Sequence, residues 1–224
     1  MEKTSTDEIV TALTRAIVER RLLPGAKLPE QKLADHFNVS RTIVRQALHQ
    51  LSQNHLISME RARGASVATP SVEEAKQVFE LRRMLEAEMI RKLVPNITPA
   101  DIRSLKEHLR NEQRALLHPN SVKERTELLG DFHVLLAKIL RNDVLVQMLK
   151  DLISRCSLIT MMYQSGNAAK ASTDAHEVIV NALIIKDAKN AVRLTLAHLD
   201  QVEESLTFDR KGFPNDFSYS ISFS

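Results

Sequence analysis

The sequence predicts a mostly α-helical chain, in which a winged helix-turn-helix with a small β-hairpin is followed by an antiparallel all-α bundle. Three observations predict it. Residues 38–53 read as a capped amphipathic helix preceded by a tight turn and a shorter helix. A basic, strand-like hairpin follows. From Val72 to about Phe208 the chain then reads as helix after helix, with Pro95, Pro99 and Pro119 in the gaps.

Composition agrees. Of 224 residues, 43% are hydrophobic but only 4% aromatic, and tryptophan is absent, so the cores must be aliphatic. Five glycines argue against a sheet-rich fold. The single cysteine, Cys156, allows no internal disulfide and suits a buried structural thiol in a reducing cytoplasm. No signal peptide or membrane-spanning apolar run is found, so a cytoplasmic protein is expected. The net charge is +3, and all of it lies in residues 1–70, which hold 10 basic and 7 acidic side chains. Residues 71–224 carry 21 of each sign. So small an excess makes nucleic-acid binding depend on placement and on two copies acting together.

The first helix is expected from about Ser5 to Arg20, burying Ile9, Ala12, Leu13, Ala16 and Ile17. Residues 23–29 break it with a turn and a short extended piece. Pro29 to Phe37 suggest a second, shorter helix. Asn38 and Val39 leave only a tight turn before the third, which is helix-turn-helix spacing. Ser40 is an N-cap residue type, and Ile43, Val44, Ala47, Leu48 and Leu51 form one apolar face. Residues 56–59 and 65–68 read as strands around the basic turn 60–64, and Thr69-Pro70-Ser71 ends this wing. A domain boundary is placed near residue 70.

The third helix presents chemistry for DNA. Arg41, Thr42 and Arg45 sit in its first turns, away from the apolar face. Arginine donates a bidentate pair to guanine in the major groove, threonine contacts base edges or methyls, and a helix N-terminus attracts phosphate. Arg61 and Arg63 in the wing suit phosphates or the minor groove. The same helix also fits an ordinary amphipathic surface helix with two arginines. The turn before it and the basic hairpin after it favour the DNA reader.

In the second half, helices are expected over 72–93, 99–117, 121–140, 143–164, 173–186 and 188–208, with Asn142 and Ser165-Gly166-Asn167 as junctions. The tail 210–224 reads as loose. His133, His176 and His198 each fall on an apolar helix face. His176 and His198 lie 11 residues either side of Asp187, so an antiparallel hairpin brings them to one level. They read either as three unrelated core histidines or as ligands of one divalent cation. Imidazole suits Zn, Ni, Cu or Fe, and three ligands leave an open position.

At this point the chain resembles the GntR family of bacterial transcription regulators, in its FadR-like subfamily with an FCD effector domain (VanR-like). The resemblance rests on Leu23-Pro24-Gly25-Ala26-Lys27-Leu28, on Ser40-Arg41-Thr42-x-Val44-Arg45-x-Ala47-Leu48-x-x-Leu51 and on Arg63-Gly64-Ala65-x-Val67. Further on it rests on Glu80-Leu81-Arg82-x-x-Leu85-Glu86, Phe132-His133-x-x-Leu136-Ala137, Ala175-His176 and Ala197-His198-Leu199. It implies a DNA-binding domain over 1–70 and an effector-binding and dimerisation domain over 71–209. It also implies a homodimer on a palindromic operator in double-stranded DNA and repression as the default. Arg41, Thr42 and Arg45 would read bases or adjacent phosphates, with Ser40 at the helix start. Gly64 would let the wing approach the minor groove. Gln31 stands where relatives often carry a basic DNA contact. Relatives often hold a metal through one Asp and three His beside a small carboxylate effector. His133, His176 and His198 match the histidines, but Leu129 occupies the Asp position. Asp131, two residues from His133, points roughly 200° around the helix and is a poor substitute. The resemblance therefore implies a three-histidine site, zinc being the first choice, completed by water or effector. Arg82 matches a partner for an effector carboxylate, with an interhelical salt bridge as the alternative, and Arg155 is a weaker second candidate. A metalloenzyme with a basic appendage is the rival class. It lacks an evident general base, so no enzymatic activity is expected. A helical interaction module that has lost regulation is the third.

Overall fold

In a computed structural model, residues 5–18, 21–117, 122–164 and 168–208 are described. The chain divides into two compact units, one closing at Pro70 and the other spanning Ser71–Phe208.

The first unit holds α1 (Thr6–Val18), α2 (Glu30–Phe37), α3 (Arg41–Gln53), β1 (Ile57–Glu60) and β2 (Gly64–Val67). The turn between α2 and α3 is built by Asn38. It takes the left-handed conformation at φ 53° and gives its N–H to the end of α2. Ser40 then caps α3, its hydroxyl accepting from the Ile43 N–H. Val44, Ala47, Leu48 and Leu51 are buried against Ile9, Leu13, Ala16 and Ile17 of α1, which packs on α3. Ile43 and Ala12 are only half-buried, so both apolar stripes are narrower than the periodicity predicts.

β1 and β2 pair antiparallel, from Ile57 opposite Val67 to Glu60 opposite Gly64. Each strand sits about one residue off its expected place. The register puts Ile57, Ala65 and Val67 in the core, and the turn shrinks to Arg61, Ala62 and Arg63. The segment before α2 runs beside the hairpin through an isolated antiparallel bridge between Lys27 and Ser66. The Gly25 N–H donates to Val67 O, Val67 to Ala26 O, and Leu28 to Ala65 O.

Among the described residues the second unit holds six helices: α4 (Val72–Asn96), α5 (Pro99–Leu116), α6 (Val122–Ile139), α7 (Asp143–Tyr163), α8 (Ala168–Ile184) and α9 (Ala188–Glu204). Ser71, Asn142 and Asp187 cap α4, α7 and α9, and Thr98 with Asp101 forms a full capping box on α5. α4 packs against α9, α7 and α6, while α5 packs on α6 and α8, and α8 on α9. One core results, aliphatic apart from Phe79 and Phe132, with Ile90, Leu105, Leu136, Ile179 and Leu183 at its centre.

Three boundaries of this unit differ from expectation by three residues or more. α4 runs to Asn96, with Pro95 inside its last turn, where the missing N–H costs a single hydrogen bond. α8 starts at Ala168 rather than 173, because alanines continue the helix. α9 stops at Glu204, and the following residues turn back, with Thr207 donating to Tyr163 O beside a bridge between Gln164 and Leu206. The expected tail over 210–224, Arg20, Pro119 and the Ser165-Gly166-Asn167 stop lie outside the described residues.

Candidate functional site

The three histidines of the centre come from three helices. His133 comes from α6, His176 from α8 and His198 from α9, and all three are buried. One ligand nitrogen from each lies within 4.8 Å of the others. His176 and His198 meet across the α8–α9 turn with their Nε2 atoms 3.3 Å apart. Two nitrogens bound to one tetrahedral zinc at about 2.0–2.1 Å stand about 3.3 Å apart, so this spacing fits a shared cation.

Two carboxylates stand behind the imidazoles. His133 Nδ1 lies 2.6 Å from Glu86 Oε2 on α4, and His176 Nδ1 lies 2.9 Å from Glu112 Oε1 on α5. An ionised carboxylate only accepts, so each Nδ1 carries the proton and each Nε2 keeps its lone pair for the interior. A carboxylate at the outer nitrogen is the usual support of a metal-bound histidine. His198 Nδ1 is buried with no partner among the described residues. Phe132 stacks on the His176 ring, 3.9 Å between centroids, and fixes its plane.

The electrostatics also suit a cation. Burial lowers the His133 pKa to about 4, aided by the Arg82 charge and opposed by Glu86. Burial and the neighbouring His176 push His198 well below the ordinary range. Both rings are therefore neutral and able to ligate at pH 7. Burial raises the Glu86 carboxyl, but Arg82 and His133 outweigh it and hold it at about 2. Glu112 is held down against burial by His108 and His176. Burial also opposes a charge on half-buried His108, but Glu112 and the Leu128 carbonyl outweigh it and raise its pKa. Two buried carboxylates, Glu86 and Glu112, and one buried guanidinium, Arg82, surround the three histidines.

Arg82 is 3% exposed. Its Nε donates to Glu86 Oε1 at 2.7 Å, one turn along α4, and its Nη1 donates to Cys156 Sγ at 3.1 Å. Its Nη2 has no partner among the described residues. The salt bridge weighed as the alternative for Arg82 thus exists, but within one helix, and it leaves a donor over. Cys156 is buried, and burial pushes its thiol pKa up. Arg155 is instead partly exposed and ion-paired to Glu74 at 3.0 Å and Asp151 at 3.3 Å. Asp131 is exposed, turned away from the histidines as its spacing requires.

Sequence reasoning gave Glu86, Glu112 and His108 no role. The signal was present in part. Glu86 and Glu112 stand on otherwise apolar helix faces, four residues after Arg82 and His108, where a lone carboxylate needs a partner.

In the first unit, Arg41, Thr42 and Arg45 are exposed on α3, opposite its buried face. Arg45 donates from Nε and Nη2 to Glu30, at 3.0 and 2.7 Å, and Arg41 Nη2 donates to the same carboxylate at 3.2 Å. The hydrogen-bonded Arg45 holds the Glu30 carboxyl below the usual carboxylate range. Gln31 is exposed and bonded to Asp35. Arg61 is exposed at the wing tip, and Arg63 lies 3.5 Å from Glu60. Gly64 opens β2 at φ +73°, and a Cβ there would meet nothing within 4 Å. The glycine therefore serves the turn and leaves the wing face open.

The two units define a winged helix-turn-helix domain followed by an all-α domain. Residues 5–67 match the bacterial regulatory proteins of the gntR family, and residues 77–201, more than half of the chain, match the FCD domain. The chain belongs to the GntR family of transcriptional regulators that carry an FCD domain. It is 26% identical over 200 residues to the HTH-type transcriptional repressor RspR of Escherichia coli, covering 89% of this chain and 87% of that one. It is 27% identical to the HTH-type transcriptional regulator LutR of Bacillus subtilis, covering 83% and 94%. A crystal structure of a GntR transcriptional regulator from Rhodococcus sp. RHA1 shares the fold, with a TM-score of 0.72 at 22% identity, covering 89% and 95%. These families and relatives are transcriptional regulators, not enzymes. No helix among the described residues is long and apolar enough to cross a membrane.

Proposed function

We propose that this regulator is a metal-dependent sensor whose DNA affinity is set by a small organic acid bound beside His133, His176 and His198. The observation that carries the proposal is the convergence of three buried imidazoles, two of them backed by buried carboxylates. A divalent ion, zinc first and nickel or another borderline metal next, suits three imidazole nitrogens. Leu129 supplies no fourth ligand, so water or the effector completes the shell. Arg82, with its spare buried Nη2, is the residue we assign to an effector carboxylate. Arg155, already ion-paired, is the lesser candidate.

On the DNA side, we assign base reading to Arg41, Thr42 and Arg45 and close approach at the helix start to Ser40 and Gln31. Arg61, Arg63 and Gly64 are assigned to the wing contacts. Two copies on a palindromic operator, repressing until the effector releases them, complete the proposal. Similarity to the HTH-type transcriptional repressor RspR supports repression.

Elemental analysis of the purified full chain tests the centre. We expect one divalent metal per chain in the native protein and its loss in a His176→Ala, His198→Ala double variant. Equal metal content in the two would refute the site.

A further inference from the structure

We propose that Glu30 is a positioning residue of the DNA-reading surface, holding Arg45 and Arg41 in the orientation that selects a base. This rests on the assignment of Arg45 to base reading. An open groove runs past the N-terminus of α2, the start of α3 and the start of β2, lined by Lys27, Glu30, Arg41, Arg45, Arg63 and Gly64 among others. Glu30 is the one acidic residue among those lining it.

A carboxylate in a groove shaped for a polyanion weakens binding to every DNA sequence alike, by repelling phosphates. What it gains is orientation. Glu30 grips Arg45 bidentately through Nε and Nη2, which fixes the guanidinium plane and leaves Nη1 outside the pair. The same carboxylate takes Arg41 Nη2, tying the two arginines of successive α3 turns to one point. The anchor is firm. Glu30 is the first residue of α2, where the helix dipole favours a carboxylate. Pro29 before it fixes φ at −66°, and Leu28 is bonded to the wing at Ala65 O. Glu30's side chain is 22% exposed against 61% for Arg45, so the acid is the fixed partner and the arginine the one being held. An arginine held in one plane loses less conformational entropy on meeting a guanine and tolerates a wrong base less well.

The test uses the full chain as wild type, Glu30→Gln and Arg45→Ala, each selecting from a randomised double-stranded DNA pool. Affinity is then measured for the wild-type-selected duplex and for a scrambled one at one salt concentration. We expect Glu30→Gln to melt like wild type and to bind the scrambled duplex more tightly. We also expect it to lose roughly 5- to 100-fold in the ratio of selected to scrambled affinity, at the same base pair that Arg45→Ala affects. If Arg45→Ala shifts the selected sequence while Glu30→Gln keeps both sequence and ratio, Glu30 is not a positioning residue. If Arg45→Ala also changes nothing, the base-reading assignment falls and this inference with it.

Discussion

Two arginine–glutamate pairs stand in opposite physical settings. Arg45 and Glu30 meet in solvent on the first unit, while Arg82 and Glu86 meet at 2.7 Å inside the second, 3% and 0% exposed. In water the pair adds little net stability, so its effect is on the orientation of Arg45 rather than on the fold. In the interior the same pair is costly to desolvate and more costly to break. It therefore fixes one arrangement of α4, His133 and Cys156. The chemistry is the same, but one pair orients a surface arginine and the other ties an interior together.

The sharpest way to break this comparison is to remove one buried partner. Glu86→Ala should strand the Arg82 charge and cost about 3–5 kcal/mol in chemical denaturation of chelator-treated protein. A double change to apolar residues of similar volume should recover much of that loss. A smaller, graded loss is expected from acid. The unfolded chain takes up protons at histidine as pH falls below 6.5, whereas buried His133 resists until about 4, so stability declines across that window. Glu86 extends the decline as pH falls from 4.5 towards 2. Urea titrations of chelator-treated protein at pH 7.5, 6 and 5 would show it, and a flat profile would mean the histidines are not buried in neutral form. Next comes Gly130, on α6 one turn before His133, where an added Cβ would lie 2.5 Å from Ile153 Cγ2. Gly130→Ala should cost about 1–3 kcal/mol by thermal melting and lower metal content, because α6 must move away from α7. The smallest effect is expected at the exposed wing. Arg63→Ala should leave the melting temperature unchanged and reduce the salt dependence of DNA binding by roughly one ion.

The two settings also differ in how far the sequence revealed them. Helical spacing placed Val44, Ala47 and Leu48 inside and Arg41 and Arg45 outside, since both facts are local to one helix. The equal arms about Asp187 brought His176 to His198 by simple helix geometry. Glu86 and Glu112 escaped because they reach the histidines from α4 and α5, across 47 and 64 residues of chain. No local periodicity encodes which helices dock. Glu30 escaped for a related reason. It sits in a different helix from the arginines it holds, and its role depends on the tight turn at Asn38 folding α2 against α3.

α4 has a further mechanical consequence. It is 25 residues long and begins at the Ser71 cap, while Glu86, which grips both Arg82 and His133, lies fifteen residues into it. At about 1.5 Å per residue that arm is about 22 Å long. Every 5° of tilt pivoting at Glu86 sweeps the Ser71 end through about 2 Å. A displacement at the histidines too small to disturb the core thus becomes, at the start of the rod, as large as the radius of an atom.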